Sequence, residues 1–91
     1  MYTATVTVPN PSGLHARPAS DFVGCAGRFA SRLTVKRAGE PGAGLNAKSI
    51  VLLLSQGFAQ GEEIELTANG ADEQACVQAL VELVQGGFGE I

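Results

Sequence analysis

The run Gly13-Leu14-His15-Ala16-Arg17-Pro18-Ala19 gathers the groups best suited to chemistry and contains the only histidine of the chain. Imidazole is the side chain that offers an unprotonated nitrogen nucleophile near neutral pH. Ala19, Phe22, Val23 and Ala26 share one side of a helical wheel, with Asp21 opposite, so an amphipathic helix is predicted over Ala16 to Gly27. His15 then sits near the N-cap, where the free N–H groups of Ala16 and Arg17 and the positive end of the helix dipole favour an anion. Pro18 is tolerated in a first turn, because its missing N–H would be unpaired anyway, and its ring stiffens the backbone carrying the donors. Arg17 adds a guanidinium fork matched to phosphate oxygens. The chemistry this suits is transient phosphorylation of His15, with Ala16, Arg17 and Pro18 forming the phosphate-binding turn. No carboxylate stands nearby to activate water, and there is no metal-ligand set or Gly-rich nucleotide loop. No cofactor and no metal are therefore expected, and the domain is read as one that accepts and donates rather than hydrolyses. By residue type alone, a His beside an Arg at a helix start is more often a solvated loop, so the motif needs support from the rest of the chain.

The elements that must position this run follow from periodicity. Residues 2–8 alternate, Tyr2, Ala4, Val6 and Val8 against Thr3, Thr5 and Thr7, which predicts a strand with one buried face. Pro9-Asn10-Pro11-Ser12-Gly13 ends it. Leu33 and Val35 mark a second strand, Ala38-Gly39-Glu40-Pro41-Gly42 a turn, and Gly44 to Ala47 a short third strand in a hairpin. Ser49 to Ser55 reads as a short helix, and Glu62 to Ala68 as a strand with Ile64, Leu66 and Ala68 inward. Asp72 to Gln85 is a final helix stopped at Gly86-Gly87, with Cys76, Val77, Leu80, Leu83 and Val84 on one face. The order is β-α-β-β-α-β-α. Every strand has one apolar and one polar face, so an α/β open-faced β-sandwich is expected: four mostly antiparallel strands covered on one face by three helices.

Size and charge bound the function. A chain of 91 residues buries roughly 60–65% of its unfolded surface, enough for one modest core. A single domain over residues 1–91 is therefore expected. Net charge −3, with no basic stripe, argues against a nucleic-acid partner. The longest apolar run, Ile50 to Leu54, is far short of the about 20 residues of a membrane span. The opening residues do not resemble a signal peptide, and a cytoplasmic protein is expected. Cys25 and Cys76 lie far apart in no C-x-x-C pattern, and are read as free thiols without function.

Four segments together resemble one family. Gly-Leu-His-Ala-Arg-Pro-Ala at 13–19, Asn46-Ala47-Lys48-Ser49-Ile50, Gln60-Gly61-Glu62-Glu63-Ile64 and Gly70-Ala71-Asp72-Glu73 are similar, in order and spacing, to HPr. These proteins are the histidine phosphocarriers of the bacterial phosphoenolpyruvate-dependent sugar phosphotransferase system. The resemblance implies that His15 takes a phosphoryl group on Nδ1 from Enzyme I and passes it to the A component of an Enzyme II. Arg17 and the helix-start amides would hold the phosphoryl oxygens. The implied fold is the open-faced sandwich.

The short helix supplies two further candidates. If Ile50, Leu53 and Leu54 share its core face, Val51 and Leu52 point outward as exposed apolar area. In HPr this helix lies beside the active histidine, so Val51, Leu52 and Phe58 are the expected docking residues. Ser49 is the expected N-cap. In HPr of many bacteria this serine also carries a regulatory phosphate from a dedicated kinase, which a phosphorylase removes. Many such proteins continue with a Met-Gly-type segment, where this chain has Val51-Leu52-Leu53-Leu54. Gly24 and Gly27 stand where some HPr proteins carry lysines, leaving Arg17, Arg28 and Lys48 as the expected local cations. The Leu-rich helix and Gly87-Phe88-Gly89-Glu90 lean toward the nitrogen-regulatory branch or an HPr module of a fused phosphotransferase. A monomer is expected, since a shuttling carrier needs its His15 face free. The alternative is a non-catalytic regulatory or ligand-binding α/β module that uses the open sheet face; it explains the topology but not the Arg17-Pro18 placement after His15.

Overall fold

The computed structural model describes residues 1–91. Alternation in Tyr2–Thr7 (β1) exposes the threonines and turns Val6 into the core. The same period shapes Arg32–Arg37 (β2) and Glu63–Asn69 (β4), and Leu45–Asn46 (β3) completes one sheet of order β1-β4-β2-β3. All three pairings are antiparallel. The register sets Val6 opposite Ile64 and Ala4 opposite Leu66 across β1 and β4. On the other side of β4, Leu33 faces Ala68 and Val35 faces Leu66. One sheet face is therefore continuously apolar.

Helices Ala16–Ala26 (α1), Ile50–Ser55 (α2) and Glu73–Gln85 (α3) are the apolar face's partners. α3 packs on β1 and β4, and α1 packs on both α2 and α3. Phe22, Leu53, Leu80 and Val84 are buried with Leu33, Ile64 and Leu66 in one core. The other sheet face is polar. It carries an open groove of about 600 Å³ lined by residues that include Arg32, Thr34, Lys36, Glu65 and Thr67, and by none of the helix-start residues. No helix is long and apolar enough to cross a membrane.

The expected order of elements is present, with three differences. Val8 lies beyond β1 but stays buried, its N–H bonded to the Glu62 carbonyl at 2.9 Å. The third strand is only Leu45–Asn46; Gly44 before it lies so close to β2 that a Cβ would stand 2.7 Å from the Val35 carbonyl oxygen, and Ala47 after it still donates its N–H to the Leu33 carbonyl at 2.9 Å. The chain also does not simply stop after α3. It makes a one-turn 3-10 segment, Gly87–Gly89, in which Gly87, Phe88 and Gly89 all have positive φ.

The loops are pinned by side chains. Asp72, at the N-cap of α3, makes no cap bond; its carboxylate accepts instead from the N–H groups of Ala30 and Ser31, each at 2.9 Å, and from the Ser31 hydroxyl. This ties the start of α3 to the turn before β2. Cys25 and Cys76 are free thiols, and burial raises the pKa of both.

Candidate functional site

His15 is the N-cap residue of α1, in extended conformation at φ −126° and ψ 164°, and its side chain makes no capping bond. The ring is not committed to holding the helix. Ala16 follows with φ +51°, in the left-handed region, before the chain turns right-handed. A left-handed residue followed by a helical one points successive N–H groups into a common concavity, the backbone arrangement that binds anions. Ala16 and Arg17 therefore supply two donors beside the imidazole that the helix has no means of pairing. Pro18 supplies none. It lacks an N–H and its side chain is buried, so the expectation that Pro18 binds phosphate is corrected: it shapes the turn that Ala16 and Arg17 present.

The Arg17 side chain is 89% exposed, and its Nε lies 4.0 Å from Asp21 Oδ2. An exposed pair that long holds the guanidinium weakly, leaving it free to swing onto a ligand. Arg28 is also exposed. Lys48 is a correction. Its ammonium donates to the Phe29 carbonyl at 2.6 Å and lines the sheet-face groove, so it is not a free cation, and Arg28, just past the C-cap of α1, stands at the far end of that helix from His15.

Gly13 and Leu14 set His15 in place. Gly13 has φ +63°, and a Cβ at this position would lie 2.4 Å from the Phe58 carbonyl oxygen. Only glycine permits that approach. The same carbonyl accepts from the Leu14 N–H at 3.0 Å, one residue before the imidazole. Phe58 is 0% exposed. It therefore offers nothing to a partner, and its expected docking role is overturned. Burying a phenylalanine stabilises a fold by about 1.5–3 kcal/mol, a gain that an outward ring would forfeit. The Arg37 guanidinium lies 4.8 Å above the ring centroid and donates to the Gln56 carbonyl and to Glu62, each at 2.6 Å. The Glu62 bond raises the Arg37 pKa further, and the bond from Arg37 holds the Glu62 carboxyl below its ordinary range.

In α2, Ser49 is the N-cap, and its Oγ accepts from the Leu52 N–H at 3.3 Å. Val51 and Leu52 are exposed as expected. Ile50 and Leu54 are exposed too, against the expectation that they share the core face with Leu53. Leu53 alone is buried, so the apolar surface on α2 is wider than its periodicity implies.

The structure also brings together residues that the helix-start motif does not mark. Glu90 reaches the loop before His15, accepting from Asn10 Nδ2 at 2.9 Å and from the Ser12 hydroxyl at 2.7 Å. The only local signals were Asn10, three residues ahead of Gly13, and glycines around Phe88 that allow the tail to reverse.

Residues 2–86 match the family described as "PTS HPr component phosphorylation site". The chain is 38% identical to the phosphocarrier protein HPr of Pseudomonas putida, covering 93% of this chain and 92% of that protein. It is 36% identical to the multiphosphoryl transfer protein of Vibrio cholerae over 98% of this chain, but spans only 22% of that protein's length. Among solved structures it superposes on the HPr-C-His of Thermoanaerobacter tengcongensis with a TM-score of 0.92 and 41% identity, covering 100% of this chain and 99% of that one. Sequence, fold and helix-start geometry agree, and the chain belongs to the HPr family of phosphocarriers of the phosphotransferase system.

Proposed function

We propose that His15 is the phosphoryl acceptor of this carrier, charged by phosphorylated Enzyme I and discharged to the A component of an Enzyme II. The observation that carries this reading is an imidazole at the N-cap of α1, free of capping duty, beside two unpaired helix-start N–H groups. In the step, the Nδ1 lone pair of the neutral ring attacks phosphorus while Nε2 keeps its proton. The N–P bond forms as the bond to the donor group breaks, and the donor keeps that electron pair. The Ala16 and Arg17 amides and the Arg17 guanidinium take the charge on the phosphoryl oxygens. Discharge reverses these events on the next acceptor. The partners supply the remaining catalytic groups, which fits a chain with a single nucleophile.

The test is incubation with phosphoenolpyruvate and Enzyme I followed by mass measurement. One acid-labile phosphoryl group is expected, absent from His15→Ala. If no Enzyme I transfers a phosphoryl group, the reading as a regulatory or ligand-binding module on the open sheet face gains instead.

Val51 and Leu52, with Ile50 and Leu54 beside them, form the docking surface in this reading, and sugar uptake or nitrogen regulation is the branch served. Ser49 is the regulatory acceptor for a serine kinase, its phosphate removed by a phosphorylase. A phosphate at this N-cap would suit the helix dipole while placing about −2 charge on the docking face. A cognate serine kinase should give one acid-stable phosphate, lost in Ser49→Ala; no incorporation would remove Ser49 from the regulatory role. Residues 1–91 act as one carrier domain, a monomer in the cytoplasm, whether free or joined to other phosphotransferase domains.

A further inference from the structure

We infer that Glu90 is a positioning residue for His15, acting through Asn10 and Ser12 of the loop that leads into α1; the inference rests on the phosphocarrier reading above. The Glu90 carboxylate uses both oxygens. Oε1 accepts from Asn10 Nδ2 at 2.9 Å and from the Ser12 N–H at 3.1 Å, and Oε2 accepts from the Ser12 hydroxyl at 2.7 Å. Bonds to an ionised carboxylate are stronger than neutral ones and fix direction as well as distance.

Asn10 carries this hold inward. It is fully buried, and its Nδ2 also donates to the Gly13 carbonyl at 2.9 Å. Both neighbours of Nδ2 are acceptors, so the amide has one allowed orientation. That orientation leaves Asn10 Oδ1 buried without a partner. A buried amide kept in this state serves geometry rather than its own hydrogen bonding. The Gly13 N–H returns a bond to the Asn10 carbonyl at 3.1 Å, and the Leu14 N–H is held by Phe58 at 3.0 Å. Asn10, Ser12, Gly13 and Leu14 are thus each tied by a hydrogen bond, and the next residue is the proposed nucleophile.

The tail is shaped to deliver Glu90. Gly87, Phe88 and Gly89 have φ of +71°, +55° and +81°. Phe88 is strained there, since only glycine takes that region freely. Its ring packs against the core, and the Glu90 N–H closes the turn on the Gly87 carbonyl at 2.9 Å. The left-handed turn reverses the chain after α3 and aims the carboxylate at the loop. The bonds from Asn10 and Ser12 hold the Glu90 carboxyl below its ordinary pKa range, as expected of a carboxylate working as an acceptor.

The test compares the full chain with Glu90→Gln, Glu90→Ala, Ser12→Ala and the double variant Glu90→Ala/Ser12→Ala as substrates of Enzyme I, alongside proton–nitrogen NMR spectra of each unphosphorylated protein. Glu90→Ala should lose about tenfold in kcat with KM unchanged, since misplacing a reacting group by an ångström costs up to about a hundredfold. Glu90→Gln, which keeps one acceptor oxygen, should recover part of that loss. Ser12→Ala should add little to Glu90→Ala, because the two act as one unit. The amide signals of Gly13, Leu14 and His15 should move while those of α3 stay. The inference is overturned by an unchanged kcat, by a rise in KM alone, which would make Glu90 a docking contact, or by spectral changes across the whole fold. If the unaltered chain accepts no phosphoryl group, the functional reading fails by itself. The spectra of Gly13 to His15 then still decide whether Glu90 positions the loop.

Discussion

Ala16 holds φ +51° directly after His15, where its Cβ crowds the following carbonyl at a cost of about 1–2 kcal/mol. The strain sits at the point where the chain turns the Ala16 and Arg17 N–H groups into one concavity. Ala→Gly within a helix ordinarily loses about 1 kcal/mol. Here glycine would relieve the left-handed strain, so Ala16→Gly should leave stability unchanged or slightly raised in urea unfolding. A loss of a full kcal/mol would mean that Ala16 is not strained. The helix-start motif was legible because His15, Ala16, Arg17 and Pro18 are contiguous and the physics of a helix start is local. Phe58 was misplaced for the opposite reason. A phenylalanine after Gly57 carries no mark of which way it faces; its ring joins the core under the Arg37 guanidinium and its carbonyl meets the Gly13 backbone, both remote in sequence.

α2 shows how a short element escapes its own periodicity. Its six residues, Ile50–Ser55, make less than two turns, so its seat on α1 and β3 buries Leu53 and leaves four apolar neighbours outside. An amphipathic pattern needs several turns before its face is defined, and here tertiary contact chose the face. Val51 at 72% and Leu52 at 42% exposure form a surface whose loss should cost the fold little. Leu52→Glu is therefore expected to raise the KM for Enzyme I several-fold while the thermal midpoint stays within a few degrees. Unchanged exchange kinetics would remove Leu52 from the docking surface. β3 is shorter than its sequence pattern implies: only Leu45 and Asn46 pair with β2, while Gly44 approaches the Val35 backbone too closely for any side chain.

Across the whole molecule, carboxylates staple loops to one another. The Ser31 hydroxyl and the neighbouring amides hold Asp72 below its ordinary range, Arg37 does so for Glu62, and Asn10 and Ser12 for Glu90. A carboxyl whose folded pKa is depressed binds fewer protons than the unfolded chain through that window, so stability rises with pH there. The stabilisation is complete above the ordinary carboxylate range and is lost as pH falls through the folded values. The urea midpoint should be level near neutrality and fall on acidification through the carboxylate range. Asp72→Asn should lower the plateau and flatten that fall; an identical slope would show that Asp72 carries none of it. By itself the sequence determined the one-sided strands, the amphipathic long helices and the anion-ready start of α1, since each depends on residues within a few positions of one another. Only the tertiary structure decided that Glu90 meets Asn10 and Ser12, that Asp72 meets Ser31, that Lys48 turns to Phe29 and that Phe58 supports Leu14. Hydrogen bonds between distant segments leave no periodic trace, and they exist only once the sheet register and the helix layer have brought those segments together.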